Sequence, residues 1–160
     1  MLLAQGIDNR AVETKHETKS ISSEETFSTD VSDKSLLLSV LNSQVEEVSY
    51  RLRAEKLQAR TITLKLRYGD FRTVTRSKTF EPTNTTKTLL TQAKDTFNTW
   101  HKKSAGALRL LGFGASGLSP EGSGQKSLFS NPEDEKQKKI DEIYDKIRTK
   151  FGDDALKRGM

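Results

Sequence analysis

The sequence predicts an α+β domain of order β-α-β-β-α-β. Four strands form one mixed sheet, two helices cover one face, and a polar, flexible tail ends in a short helix. Three observations carry this expectation. Two stretches with apolar residues every three or four positions alternate with stretches of strand-like composition. Residues 60–80 hold two alternating segments joined by a turn. Beyond about Gly117 periodicity ends and the chain turns to Gly, Ser, Pro and charge.

Taken in order, residues 1–18 read as an extended lead-in, and KSISSEETFSTDV (19–31) as a strand polar on both sides. A helix follows, with Ser32 or Asp33 as its cap. Leu37, Leu41, Val45, Val48 and Leu52 recur at helical spacing and make its apolar face. In the next strand Ile62, Leu64 and Leu66 alternate with Thr61, Thr63, Lys65 and Arg67, the period of a half-buried strand. Tyr68-Gly69-Asp70-Phe71 turns the chain into a strand over about 72–80. There Thr73, Thr75, Ser77 and Thr79 face one way and Val74, Arg76, Lys78 and Phe80 the other, and the pattern does not choose which set meets solvent. Pro82 and the Thr/Asn run stop that strand, and Asn84 or Thr85 caps a second helix with Leu89, Ala93, Phe97 and Trp100 on its apolar face. A last strand spans 107–116. Two amphipathic helices on one side of a four-stranded sheet bury both sets of apolar residues economically. In the tail, Asn131 and Pro132 start a helix over about 133–151 that carries Ile140, Ile143, Ile147 and Phe151 on one face, with nothing to say whether it docks.

Composition narrows the function. Of 160 residues, 32% are hydrophobic and 31% charged, so the core is modest. No apolar run approaches the roughly 20 residues that span a membrane, and the N-terminus lacks the features of a secretory signal. The chain has no cysteine, which removes disulfides, thiol catalysis and zinc-finger sites and suits the cytoplasm. The net charge of +5 is concentrated: residues 50–110 hold 14 Lys/Arg against 4 Asp/Glu. A basic middle between acidic ends fits a polyanionic partner, though a solvated basic surface would look the same.

Residues for catalysis are not assembled in the pattern. Carboxylates lie on helix surfaces, turns and the tail, without the strand-end clustering that two-metal phosphoryl transfer needs. His101 sits near a helix end, where its charge is mildly favourable. Gly112, Gly114 and Gly117 lack the Lys-Ser/Thr and following helix of a phosphate loop. The expectation is no catalytic residue, no metal and no cofactor in this chain. The sheet face turned away from the helices offers Thr61, Thr63, Lys65, Arg67, Thr73, Thr75 and Ser77, joined by Arg76 and Lys78 if that strand is twisted or bulged. Hydroxyls and cations on such a face hydrogen-bond phosphate oxygens and read little sequence. Aromatic residues for base stacking are missing from it.

KSISSEETF (19–27), RTITLKLRYGDFRTVTRSKTF (60–80), the helix ending at Trp100 and LRLLGFGASGL (108–118) together resemble the little-finger domain of Y-family DNA polymerases, in the DNA polymerase IV branch of lesion-bypass (translesion, DNA-repair) enzymes. GIDNRAV (6–12) resembles the thumb-to-little-finger connection, and 140–159 the branch's C-terminal segment. The resemblance implies a linker over 1–18, a DNA-binding domain over 19–118 and a tail over 119–160. It implies sequence-nonspecific duplex binding, with Lys19, Ser20, Ile21 and Ser22 on the first strand and Arg76, Ser77, Lys78 and Thr79 on the third; main-chain N–H groups at Ile21 and Ser22 need no special side chain. It implies that polymerase (nucleotidyltransferase) activity and Mg2+ belong to a catalytic core not contained in these 160 residues.

GSGQKSLFSNPED (122–134) places Leu128 and Phe129 together in a stretch with no core to cover them. QKSLF (125–129) resembles the branch's peptide for the bacterial sliding clamp. That resemblance implies that Leu128 and Phe129 fill a pocket and Gln125 bonds at its rim, with affinity of micromolar order because ordering the peptide costs entropy. The rival expectation is a protein–protein adaptor whose sheet binds acidic partners and whose tail is a recruitment peptide.

Overall fold

The computed structural model describes residues 20–104, 106–121 and 132–151, with the backbone alone for 132–134 and 151. Strand β1 is Ser20–Val31, helix α1 Lys34–Ala54, β2 Leu57–Tyr68, β3 Thr73–Thr83, α2 Thr86–Ser104 and β4 Leu108–Ser116. A two-residue strand β5, Ser119–Pro120, and helix α3, Pro132–Phe151, follow.

The four long strands lie in the order β1-β4-β2-β3 and every neighbouring pair is antiparallel, so the sheet is not mixed as expected. The reason is interleaving. Each crossover, β1-α1-β2 and β3-α2-β4, returns the chain in its starting direction but one strand further over. The gap in each unit is filled by a strand of the other, running the opposite way.

Of the two candidate caps, Asp33 starts α1: its Oδ1 accepts from the backbone N–H groups of Ser35 (3.0 Å) and Leu36 (3.4 Å). The five apolar residues read as one face of α1 are all buried, as are Leu89, Ala93, Phe97 and Trp100 of α2. They close on Ile21, Ile62, Leu64, Leu66, Leu111, Phe113 and Ala115 from one side of the sheet. The polar atoms of the large aromatics in this layer are satisfied. Trp100 Nε1 donates to the Tyr68 hydroxyl at 3.0 Å, and that hydroxyl donates to the Ser104 carbonyl at 3.1 Å.

The β2–β3 hairpin turns through Tyr68–Arg72, held by Tyr68 N–H to Arg72 O at 2.9 Å and Arg72 N–H to Asp70 Oδ1 at 3.0 Å. β3 runs past Pro82 to Thr83. It is an edge strand, where a missing N–H costs no ladder bond, and a register shift between Ala59 and Thr61 absorbs the extra residues. After Gly117 (φ +64°), Ser119 and Pro120 pair with Gln58 and Leu57. The body therefore continues to Glu121, whose N–H donates to Lys56 O at 2.8 Å.

Helix α3 docks, and by the side the sequence did not suggest. Its buried residues are Asp141 and Tyr144, while Ile140 and Ile143 are exposed. Arg53 of α1 grips Asp145 through two bonds, Nε to Oδ2 at 2.6 Å and Nη2 to Oδ1 at 2.8 Å. The same guanidinium donates from Nη1 to Asn84 O (2.8 Å) and Thr86 Oγ1 (2.9 Å), and lies 3.6 Å from Asp141 Oδ2. Asp141 Oδ2 also accepts from the Thr86 N–H at 3.2 Å, so this carboxylate, supplied by α3, serves the first turn of α2. Thr85 Oγ1 is instead turned to Thr83 Oγ1 at 3.1 Å. Arg148 completes the contact, bonding Glu47 Oε1 at 2.5 Å and lying 4.1 Å from the centre of the Tyr50 ring.

Candidate nucleic-acid interface

Both helices α1 and α2 pack on one face, and the strand register fixes what the other face displays. Across it, from β1 through β4 and β2 to β3, side chains stand in rows. The first is Ser20, Ser116, Thr61, Thr79. The second is Ser22, Gly114, Thr63, Ser77. The third is Glu24, Gly112, Lys65, Thr75, and the fourth is Thr26, Leu110, Arg67, Thr73.

Small hydroxyl side chains dominate this face. Thr61 pairs with Thr79 (3.1 Å) and Thr63 with Ser77 (2.8 Å), oxygen to oxygen. In such a pair one O–H is used inward and the other is left to donate outward. Charge is sparse. Arg67 Nε donates to Thr73 Oγ1 at 3.0 Å, and Lys65 Nζ reaches Glu24 Oε2 at 3.5 Å. The Lys65–Glu24 pair is well exposed, so it contributes at most about 1 kcal/mol and exchanges readily for another anion.

Of the residues singled out in the sequence, Ser20, Ser22, Lys65, Arg67, Thr75, Ser77 and Thr79 share this face. Ile21 is in the core, which leaves only its main chain for a partner. Ser22 O accepts from Arg51 Nη1 at 2.9 Å, tying the start of β1 to α1. Arg76 and Lys78 do not join the open face. The β2–β3 register is regular from Thr61 to Arg67 and the bulge lies outside it, so Arg76 stands opposite Leu64 and Lys78 opposite Ile62, on the helix side. They remain exposed there because β3 is the sheet edge; Lys78 Nζ lies 3.9 Å from Asp95 Oδ2 of α2, and Arg76 Nη1 donates to the Thr75 carbonyl at 2.9 Å. Lys19, Gln125, Leu128 and Phe129 lie outside the described residues.

Sequence reasoning missed the centre of the face. Gly112 and Gly114 were weighed only as a phosphate loop. They stand two apart in an interior strand, so both point outward and leave the middle of the sheet bare. The legible signal was G-x-G inside a strand-like run. His101 lies against the Phe97 ring, 5.9 Å between ring centres.

A sheet with helices on one side and a hydroxyl-lined face on the other is the architecture of a platform domain, and solved structures share it. A complex of a beta-clamp processivity factor with the little finger domain of a DNA polymerase IV matches with TM-score 0.50 at 22% identity, over 69% of this chain and 99% of that one. A post-insertion binary complex of the Dbh DNA polymerase matches with TM-score 0.57 at 14% identity, over 70% of this chain and 33% of that one. Residues 18–128 match the model of the impB/mucB/samB family C-terminal domain. The DNA polymerase IV of Dehalococcoides mccartyi is 36% identical over 158 residues, covering 98% of this chain and 40% of that protein. That of Brucella melitensis is 35% identical over 159 residues, covering 98% and 35%. The chain belongs to the impB/mucB/samB family, whose C-terminal domain it matches, and it shares the little-finger fold of the solved polymerase structures. It spans about two fifths of the length of these curated relatives.

Proposed function

We propose that the open face of the sheet holds the phosphodiester backbone of duplex DNA without reading its sequence, as the little finger of a translesion polymerase. The observation that carries this reading is the composition of that face: rows of short hydroxyls with two cations, one carboxylate and a bare centre, on a sheet whose other side is covered by helices up to the edge strand β3. Hydroxyl and cationic donors position a phosphate backbone, and base-edge readers such as Asn and Gln are absent from these rows. Arg76 and Lys78 flank the face from the edge strand and add charge within reach of a duplex wider than the sheet.

The test is salt-titrated binding of the whole chain to unrelated duplexes. Affinity falls steeply with salt and by similar amounts on each sequence. Replacing Arg76 and Lys78 by Ala together flattens the slope of log K against log salt by roughly two units. An unchanged slope removes the edge strand from the interface, and binding that ignores salt removes the whole reading.

The tail supports a second contact. Leu128 and Phe129 insert into the sliding clamp with Gln125 at the rim, and tethering through DNA raises the effective concentration of that weak peptide. A solved relative of this fold is a clamp complex, which supports the assignment. Leu128→Ala with Phe129→Ala abolishes clamp binding and leaves DNA affinity intact. Nucleotide incorporation, with its Mg2+, is assigned to a catalytic core elsewhere in the polymerase, and a primer-extension assay on this chain is blank. The bacterial cytoplasm is the compartment where such an enzyme meets DNA.

A further inference from the structure

Gly112 and Gly114 sit side by side on the open face, and the packing around Gly112 is the tighter of the two. A Cβ added to Gly112 would stand 3.0 Å from Glu24 Cβ and 3.5 Å from Lys65 Cβ, so a side chain there requires its β1 neighbour to give by a few tenths of an ångström. A Cβ on Gly114 would stand 3.4 Å from Ser22 Cβ and 4.0 Å from Thr63 O, which is ordinary contact. Nor does backbone shape require glycine, since the one positive-φ glycine among the described residues is Gly117. A glycine inside a strand is destabilising relative to alanine, because it has more freedom to lose and nothing to pack. At Gly114 nothing packed around it among the described residues offsets that cost.

We infer that Gly114 is a close-approach position, left without a side chain so that one DNA strand can lie directly on the sheet. This rests on the reading of the open face as a DNA surface. The surroundings fit a phosphate better at this point than at the other glycine. Ser22 and Thr63 flank Gly114 in its row, and Ser20, Ser116 and Thr61 stand in the row before it, so donors surround the bare spot. Gly112 lies between Glu24 and Lys65, an ion pair across the sheet whose carboxylate competes with a phosphate for the lysine. A methyl group on Gly114 lifts the strand off this floor and breaks its shortest contact.

The experiment compares wild type, Gly114→Ala and Gly112→Ala as whole chains, by thermal unfolding and by duplex binding at low salt. Gly114→Ala keeps or raises the midpoint of unfolding while weakening duplex binding about tenfold, the loss of one hydrogen bond to a charged group. Gly112→Ala, at the tighter of the two sites, serves as the packing comparison. If wild type binds duplex and Gly114→Ala binds equally well, the close-approach assignment is wrong and the DNA surface stands. If Gly114→Ala lowers the midpoint, the glycine is structural and the assignment is also wrong. If wild type fails to bind duplex, the reading of the face falls and this inference with it.

Discussion

Helices α1 and α2 hold to the sheet by apolar side chains, whereas α3 holds to α1 and α2 by charges. The first contact buries Leu37, Leu41, Val45, Val48 and Leu52 against Leu64 and Phe113. The second contributes no residue to that core and centres on Arg53, Asp141 and Asp145. The difference matters because the two kinds of contact respond to different perturbations. Apolar burial scales with area and is not weakened by electrostatic screening. A partly buried ion pair is specific in geometry, and removing one partner leaves the other charge desolvated and unpaired.

The largest effect comes from breaking the apolar seat. Leu64→Ala opens a cavity in the middle of the sheet and costs about 2–5 kcal/mol of global stability. Urea unfolding followed by Trp100 fluorescence reads this, because Trp100 is buried in the same layer. A loss below about 1 kcal/mol means that the helices are not the cohesive half of the molecule.

Breaking the ionic seat has a smaller and local effect. Arg53→Met keeps the stem of the side chain and removes both bonds to Asp145 and those to Asn84 and Thr86. It destabilises the docked state of α3 by about 2–3 kcal/mol, the value of charge-assisted bonds lost at a partly buried site. Amide hydrogen exchange in α3 accelerates, and exchange in β2 and β4 stays slow. If β2 and β4 lose protection together with α3, the helix is an integral part of the domain and the contrast drawn above is false.

How far the sequence reveals this contrast depends on range. The faces of α1 and α2 follow from spacing, since apolar residues three and four apart must share a side, and the alternation of Ile62, Leu64 and Leu66 does the same for β2. Strand direction does not follow, because β4 enters between β1 and β2 from forty residues beyond the end of β2, and no local pattern encodes that insertion. β3 resists reading for a different reason: as an edge strand it is polar on both sides, so Arg76 and Thr75 look equally exposed. The docking side of α3 is the hardest. Its apolar periodicity points to Ile140, Ile143 and Ile147, while the partner that decides its orientation is a single arginine in α1. Gly114 was legible only in retrospect, once the register showed which glycine the packing explains.

Salt gives a graded version of the Arg53 test without a mutation. In about 1 M salt the screening length falls to roughly 3 Å, which weakens the half-exposed outer bonds such as Arg148 to Glu47 more than the Arg53 cluster. Exchange in the C-terminal turns of α3 then rises several-fold before that around Asp141, while the urea midpoint of the body changes little. Uniform protection along α3 up to that concentration means that Tyr144 and its neighbours, not charge, hold the helix.

The smallest expected effect separates the two seats most sharply, because a truncation to alanine is made on both. Val45→Ala in α1 removes two methyl groups from a fully buried site and costs about 2 kcal/mol of global stability. Ile143→Ala in α3 removes more carbon, but from a side chain that is 59% exposed. The change in α3 docking lies within about 0.5 kcal/mol, the range of surface substitutions, and alanine's higher helix propensity offsets part of it. Parallel hydrogen exchange on both variants decides the matter. A loss of α3 protection in Ile143→Ala as large as that in Arg53→Met would show that the isoleucine stripe, and not the arginine, seats the helix.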